Sequence, residues 1–288
     1  MRSVQVHAVG LSNPPAWSVF VPPSLPLLVR PRLSSPIITA MPPTSTPAVV
    51  LHAFPYGETS KIVRLATPDH GVVSAIAKGA RRPRSRFGMR LQVLSQGIAH
   101  VYLKQTRDLQ TLAGFDVVTE RDELAHDLPR FTAASALCEL VLRCSPAEAQ
   151  PAVFEALSAG LDRIAAATEN ELGAASLAAV WRMVSTLGFA PALRTCARDG
   201  RAVGAGPAMF SVEEGGLLCG VCARGARKRL PVDDRRALEC FVRGDVALGP
   251  PLTPRRTRAH VRLAARFIRH HLAEGRELRA LTLWETAP

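Results

Sequence analysis

The stretch SKIVRLATPDHGVVSAIA, Ser60 to Ala77, decides the fold. Ser60 to Thr67 sets Ile62 against Val63 and Leu65 in the period-two pattern of a half-buried strand. Asp69-His70-Gly71 supplies a three-residue hairpin whose glycine can take positive φ, and Val72 to Ala77 returns as a second apolar, β-branched strand. Upstream, Ala48 to Phe54 is another such run, and Pro55-Tyr56-Gly57-Glu58 fits a type I turn between the two. Downstream lie Gln92 to Lys104 and Leu109 to Thr119. Five strands in roughly seventy residues suit a small closed barrel of the OB type, with a five-stranded SH3-like barrel as the alternative.

Between the third and fourth strands runs KGARRPRSRFGMR, Lys78 to Arg90, with six cations in thirteen residues and no acid. Gly79, Pro83 and Gly88 break any helical or strand period there. A solvated charge run is one reading. The other is the electrostatic part of a nucleic-acid surface, mounted on a loop between barrel strands where binding groups are held. On that reading Lys78, Arg81, Arg82, Arg84, Arg86 and Arg90 meet phosphates, with Lys104 and Arg107 on a neighbouring strand and loop as additions. Phe87 either stacks on a base or packs beneath the loop.

The whole chain agrees with a polyanion partner. It has 288 residues, a formal net charge of +12 and 47% hydrophobic residues, so its basic groups sit on a folded scaffold. Six scattered cysteines with one tight pair do not form a disulfide framework and point to a reducing, cytoplasmic setting. No apolar run is long enough for a membrane helix, and no membrane partner is expected. Residues 1–40 are proline-rich, with Arg2, Arg30 and Arg32 and no acid, and are expected to be a disordered or mis-start extension before Met41.

After residue 120 the chain turns helical, so the fold class is α+β: a barrel domain over 41–120, then a helical bundle over 121–288. Apolar residues recur at helical spacing in Arg130 to Cys144, Pro151 to Ala167 and Leu172 to Leu187, the last ending at Gly188. Helix resumes over Pro231 to Arg243 and again from Thr253, a cap residue before Pro254. Arg255, Arg256 and Arg258 near that start oppose the helix dipole, a cost that an anionic partner or plain solvent can relieve. A glycine-rich insert at 193–226 interrupts the bundle. In it Cys196-x-x-Asp199 and Cys219-x-x-Cys222, nineteen residues apart, match a zinc-ribbon template except that Asp199 stands where a thiolate is expected. Zinc on these four residues and a metal-free, packed ribbon are both open.

For catalysis the sequence is silent. It has no phosphate-binding GxxxxGK[ST] loop, hence no expected nucleotide cofactor, and no HExxH. His270 and His271 are adjacent and point to different sides of a helix. The chain reads as a binding protein, not an enzyme.

At this level of detail the residues resemble a family. Pro55 to Thr59, Asp69-His70-Gly71, Lys78-Gly79-Ala80-Arg81-Arg82-Pro83 and Ser85-Arg86-Phe87-Gly88 resemble the N-terminal barrel of the bacterial recombination mediator RecO. Leu187-Gly188-Phe189-Ala190-Pro191 with the Cys196 ribbon is similar to that family's central insert, and Arg266 to Leu272 to its last helix. The resemblance implies an OB-fold protein of the cytoplasm and nucleoid that binds single- and double-stranded DNA. It further implies annealing of complementary strands coated by single-strand-binding protein, and work with RecR to load RecA in recombinational repair. Asp199 departs from the cysteine of the metal-binding members. An RNA-binding or translation-associated barrel-and-ribbon module is the alternative of a different class.

Overall fold

The computed structural model describes residues 42–287 apart from 89, 147, 225–228 and 246–248; the extension expected over residues 1–40 lies outside them. Five strands form the barrel: β1 Thr44–Tyr56, β2 Ser60–Thr67, β3 Gly71–Ala77, β4 Gln96–Tyr102 and β5 Leu109–Thr119. Their order around it is β1-β2-β3-β5-β4, closed by β4 on β1. One long strand does the closing. The first half of β1 pairs with β4, from Thr44↔Val101 to Val49↔Gln96, and its second half pairs with β2, from Val49↔Ala66 to Tyr56↔Ser60. A register shift between Val50 and His52 marks the bend. β3 lies parallel to β5 through Ser74↔Leu109, so the chain crosses the barrel between β3 and β4 instead of meandering. This is the OB arrangement.

The β2–β3 hairpin forms as its sequence directs. Gly71 takes φ +58°, and the Thr67 hydroxyl donates to the Gly71 carbonyl at 3.0 Å while accepting from the His70 N–H at 3.1 Å. The β1–β2 turn differs from expectation. Pro55 and Tyr56 belong to β1, opposite Lys61 and Ser60, and the turn comes later at Gly57, φ +57°. By this point β1 has left β4, so the missing N–H of Pro55 faces an open strand edge and costs no ladder bond. β4 is also shorter than the expected 92–104. Leu94 adopts φ +77° and is buried, bonded through its N–H to the Val50 carbonyl, so the chain kinks into β4 instead of entering it straight.

The helical part comprises α1 Asp122–His126, α2 Leu128–Cys144, α3 Pro151–Ala166, α4 Glu169–Thr186, α5 Val232–Arg243, α6 Pro254–His271 and α7 Arg279–Thr286. A two-stranded hairpin, β6 Met209–Ser211 and β7 Gly216–Leu218, is inserted between α4 and α5. Trp181, fully buried on α4, packs its ring 5.1 Å from Phe267 of α6, which also meets Phe210 of β6. At Gly160 a Cβ would lie 2.7 Å from Leu137 and 3.2 Å from Ala179, so α3 can approach α2 and α4 this closely only without a side chain there.

Some boundaries moved because of caps. Glu171 accepts from the Thr168 N–H at 3.1 Å and its hydroxyl at 2.7 Å, starting α4 three residues before Leu172. Thr253 caps α6 as expected, accepting from the Arg256 N–H. α7 was not expected, since the resemblance put the last helix at Arg266 to Leu272. Its first N–H groups, at Arg279 and Leu281, are capped by the carboxylate of Glu139 on α2, each at 3.0 Å.

Barrel and helices meet at Arg121. Its guanidinium is buried and donates to Asp162 of α3 at 2.8 Å, to the Leu94 carbonyl at 3.2 Å and to Gln96 of β4 at 2.6 Å. Ser158 of α3 donates to the same Gln96 oxygen at 2.8 Å. One cation thereby ties the start of β4 to α3.

Candidate nucleic-acid interface and metal cluster

The basic loop leaves β3 at Ala77 and is built as successive turns. Arg82 N–H donates to the Gly79 carbonyl, Ser85 N–H to Arg82, Gly88 N–H to Ser85 and Arg90 N–H to Phe87, all at 3.0–3.1 Å. Gly79 and Gly88 both hold positive φ. The loop is pinned at two levels. Arg81 donates through its backbone N–H to the Thr59 carbonyl at 2.8 Å and through its guanidinium to the Gly57 carbonyl at 3.2 Å, which fixes the loop to the β1–β2 turn. Beneath it Ala80, Phe87 and Leu91 enter the barrel core with Val63, Leu65 and Phe115; Phe87 is 1% exposed.

Phe87 is therefore the peg under the loop, with the Arg86 guanidinium 5.1 Å from its ring centre. The six cations Lys78, Arg81, Arg82, Arg84, Arg86 and Arg90 are all exposed. Lys104 and Arg107 sit elsewhere. They lie in the turn between β4 and β5, held by Gln110, which accepts from the Lys104 N–H at 2.8 Å and donates to the Lys104 and Arg107 carbonyls. Because β5 enters beside Ser74, that turn lies toward the beginning of β3, away from the basic loop at its end. Among the described residues none of these eight cations forms an ion pair with an acid.

Next to the loop the barrel presents an outer face that the sequence reading passed over. Register puts Phe54, Ile62 and Ile76 in one cross-strand row and His52, Arg64 and Ser74 in the next, with Tyr56 at the end beside Gly57. Phe54 is 38% exposed and Tyr56 51% exposed, and the His52 and Phe54 ring centres are 5.6 Å apart. The signal was present in the sequence as His52, Phe54 and Tyr56 at alternate positions of one strand.

In the insert, two tight turns carry two candidate ligands each. Cys196 accepts through its carbonyl from the Gly200 N–H at 2.9 Å, and Cys219 from the Ala223 N–H at 2.9 Å. Ala197 N–H donates to the Leu217 carbonyl at 2.8 Å, which ties the first turn to β7. The Sγ atoms of Cys196, Cys219 and Cys222 and a carboxylate oxygen of Asp199 all lie within 4.8 Å of one another. The Cys219 and Cys222 thiols donate to Asp199 Oδ2 at 3.4 and 3.3 Å. Hydrogen bonding within the cluster acts oppositely on its carboxylate and its thiol. Asp199 is pushed down to about 2, chiefly by the Cys196 thiol and then by the Arg201 N–H, while the Cys222 thiol is pushed up to about 12 by its bond to Asp199. A tetrahedral zinc with sulfur and oxygen ligands separates its donors by about 3.5–3.8 Å, so the four residues fit such an ion with a small inward turn of the side chains.

Family models described as Recombination protein O N terminal and Recombination protein O C terminal match residues 41–121 and 125–280. A DNA repair protein RecO of Anaeromyxobacter sp. strain K is 37% identical over 245 residues, covering 81% of this chain and 92% of that protein. The chain belongs to the RecO family. Proteins of the same name from Nocardioides and Frankia casuarinae are 31% and 32% identical, over 79% and 86% of this chain and 94% and 100% of theirs.

In this RecO-family chain the sequence-derived residues thus fall into three places. The loop cations stand together on one barrel end, Lys104 and Arg107 stand apart from them, and the four candidate metal ligands converge from two turns. Among the described residues no helix is long and apolar enough to cross a membrane.

Proposed function

We propose that this RecO-family chain is a DNA-binding recombination mediator in repair: it holds single strands on its barrel, anneals complementary strands and helps load RecA on DNA coated by single-strand-binding protein, together with RecR. The observation that carries the DNA part is the pinned loop, six exposed cations without acid partners beside an exposed aromatic row on an OB barrel. Lys78, Arg81, Arg82, Arg84, Arg86 and Arg90 take the phosphates, and release of counterions makes binding salt-sensitive and indifferent to sequence. Phe54 and Tyr56 offer ring faces to unpaired bases. Lys104 and Arg107, at the other end of β3, continue the path across the outer face. Two strands whose phosphates are neutralised repel each other less, and pairing needs no bond broken in either strand. The mediator role and its protein partners draw support from family membership alone.

Cys196, Asp199, Cys219 and Cys222 hold zinc in this reading, and a bound ion would supply a structural clamp between the two turns of the insert. Because Cys222 must give up its proton, zinc uptake releases protons and tightens as pH rises. Zinc content of the purified chain and of a Cys219→Ser variant checks this: about one ion per chain against none is expected, and equal content in both contradicts it.

The functional test is annealing of complementary oligonucleotides precoated with single-strand-binding protein. The wild-type chain accelerates it, and Arg81, Arg82, Arg84 and Arg86→Ala together abolish the acceleration. Equal or tighter binding to RNA hairpins without strand annealing would favour an RNA module instead.

A further inference from the structure

Helix α6 carries nine charged or titratable positions in eighteen residues, and all are basic. They divide by partner. Arg256 pairs with Asp234 at 2.8 Å and Arg269 with Glu285 at 2.6 Å. His260 is buried against Asp234, and His271 bonds to the Val212 carbonyl. Arg255, Arg258, Arg262 and Arg266 are exposed and have no acid partner among the described residues. Their spacing of three, four and four residues places them in one row along the helix, with His270 continuing it. Glu213 lies close enough to feel His270 and Arg266 but forms no ion pair with either. Like charges at this spacing repel, and the first of them also oppose the helix dipole. The fold neutralises the two arginines at the edges of the row and leaves the row itself without an ion pair among the described residues.

We infer that this row is a second nucleic-acid site, gripping one strand by its phosphate backbone, separate from the barrel loop. Successive arginines four residues apart rise about 6 Å along the axis, a step comparable to that between neighbouring phosphates of an extended strand. The exposed face holds Arg255, Arg258, Ala259, Arg262, Arg266 and His270, with no large apolar side chain. A protein docked here would find arginines but no Trp or Tyr to bury, whereas a phosphate backbone needs only charge. The two sites are carried by different parts of the fold: α6 packs on α4 and α7, while the barrel packs on α2 and α3. Two sites on one chain suit a protein that brings two strands together; that use rests on the reading proposed for the barrel, but the binding itself does not.

The experiment measures affinity of the full chain for a single-stranded oligonucleotide against salt concentration, in five proteins. These are the wild type, Arg255, Arg258, Arg262 and Arg266→Gln, the same four→Lys, Arg81, Arg82, Arg84 and Arg86→Gln, and the two Gln sets combined. The Gln row variant is expected to lower the slope of log K against log salt by about 3, four contacts at about 0.7 each, with a Tm no lower than that of the wild type. The Lys variant keeps the wild-type slope. The loop variant retains residual binding that disappears when the Gln row substitutions are added. An unchanged slope in the Gln row variant, in both the wild-type and the loop-variant background, would overturn the site and leave the row to an acidic protein or to solvent. So would a Lys variant as defective as the Gln one, since the guanidinium's packing, not its charge, would then be at stake. Loss with the row variant but none with the loop variant would support this site while removing the barrel loop.

Discussion

Phe87 and Phe54 divide between them a role that composition alone cannot assign. Phe87 lies among arginines yet is sealed in the barrel core, while Phe54 and Tyr56 stand exposed beside the same loop. Phe87→Ala is expected to cost about 3–5 kcal/mol of stability, read by denaturant unfolding. Phe54→Ala and Tyr56→Ala should leave stability nearly unchanged and weaken single-strand binding by about 1–3 kcal/mol each, with the salt slope intact. A single aromatic in a charged loop gives no period from which to read its direction, so sequence left Phe87 open between base and core. The alternation of His52, Phe54 and Tyr56 did carry their direction, and was passed over because Pro55 drew the stretch into a turn. His260 is a second residue-scale case. Burial lowers its pKa first, against the opposing pull of Asp234, with Arg256 adding to the lowering. The unfolded chain thus binds the proton more readily, and folding stability falls as pH drops through the ordinary histidine value of about 6.5. His260→Gln should flatten that fall in unfolding curves recorded across the same pH range.

At the scale of elements, local signals placed what is locally determined. The β2–β3 hairpin follows from Gly71, and the start of α6 from Thr253 and Pro254, because turn and cap chemistry act within a few residues. α7 was invisible for the opposite reason: its cap is the carboxylate of Glu139, on another helix, and eight residues are too few for a helical period to declare itself. The two turns of the insert were legible through cysteine spacing, since ligand geometry fixes that spacing, and the four side chains do converge. The junction of barrel and helices had no sequence signal. Arg121 reads as one more surface cation until the fold places Leu94, Gln96 and Asp162 around it. Arg121→Ala should destabilise the chain by about 3 kcal/mol and open the contact between β4 and α3. Amide exchange that rises at both elements would register this, and protection unchanged at both would contradict it.

Across the whole molecule the net charge of +12 is distributed unevenly in its pairing. Arginines that build the fold, such as Arg121, Arg256 and Arg269, are neutralised by acids, while the cations of the barrel loop and of the outer row of α6 have no ion pair among the described residues. That division makes function separable from stability: apart from Arg81, whose guanidinium pins the loop to the Gly57 carbonyl, charges can be removed from the loop without loosening its peg, Phe87, or the OB barrel below it. The most direct measurement is the salt dependence of single-strand affinity for the wild-type chain and for Arg82, Arg84, Arg86 and Arg90→Ala, which leaves the Arg81 pin in place. A slope lower by about 3 with an unchanged Tm is predicted, and affinity and slope equal to the wild type would contradict the loop's role.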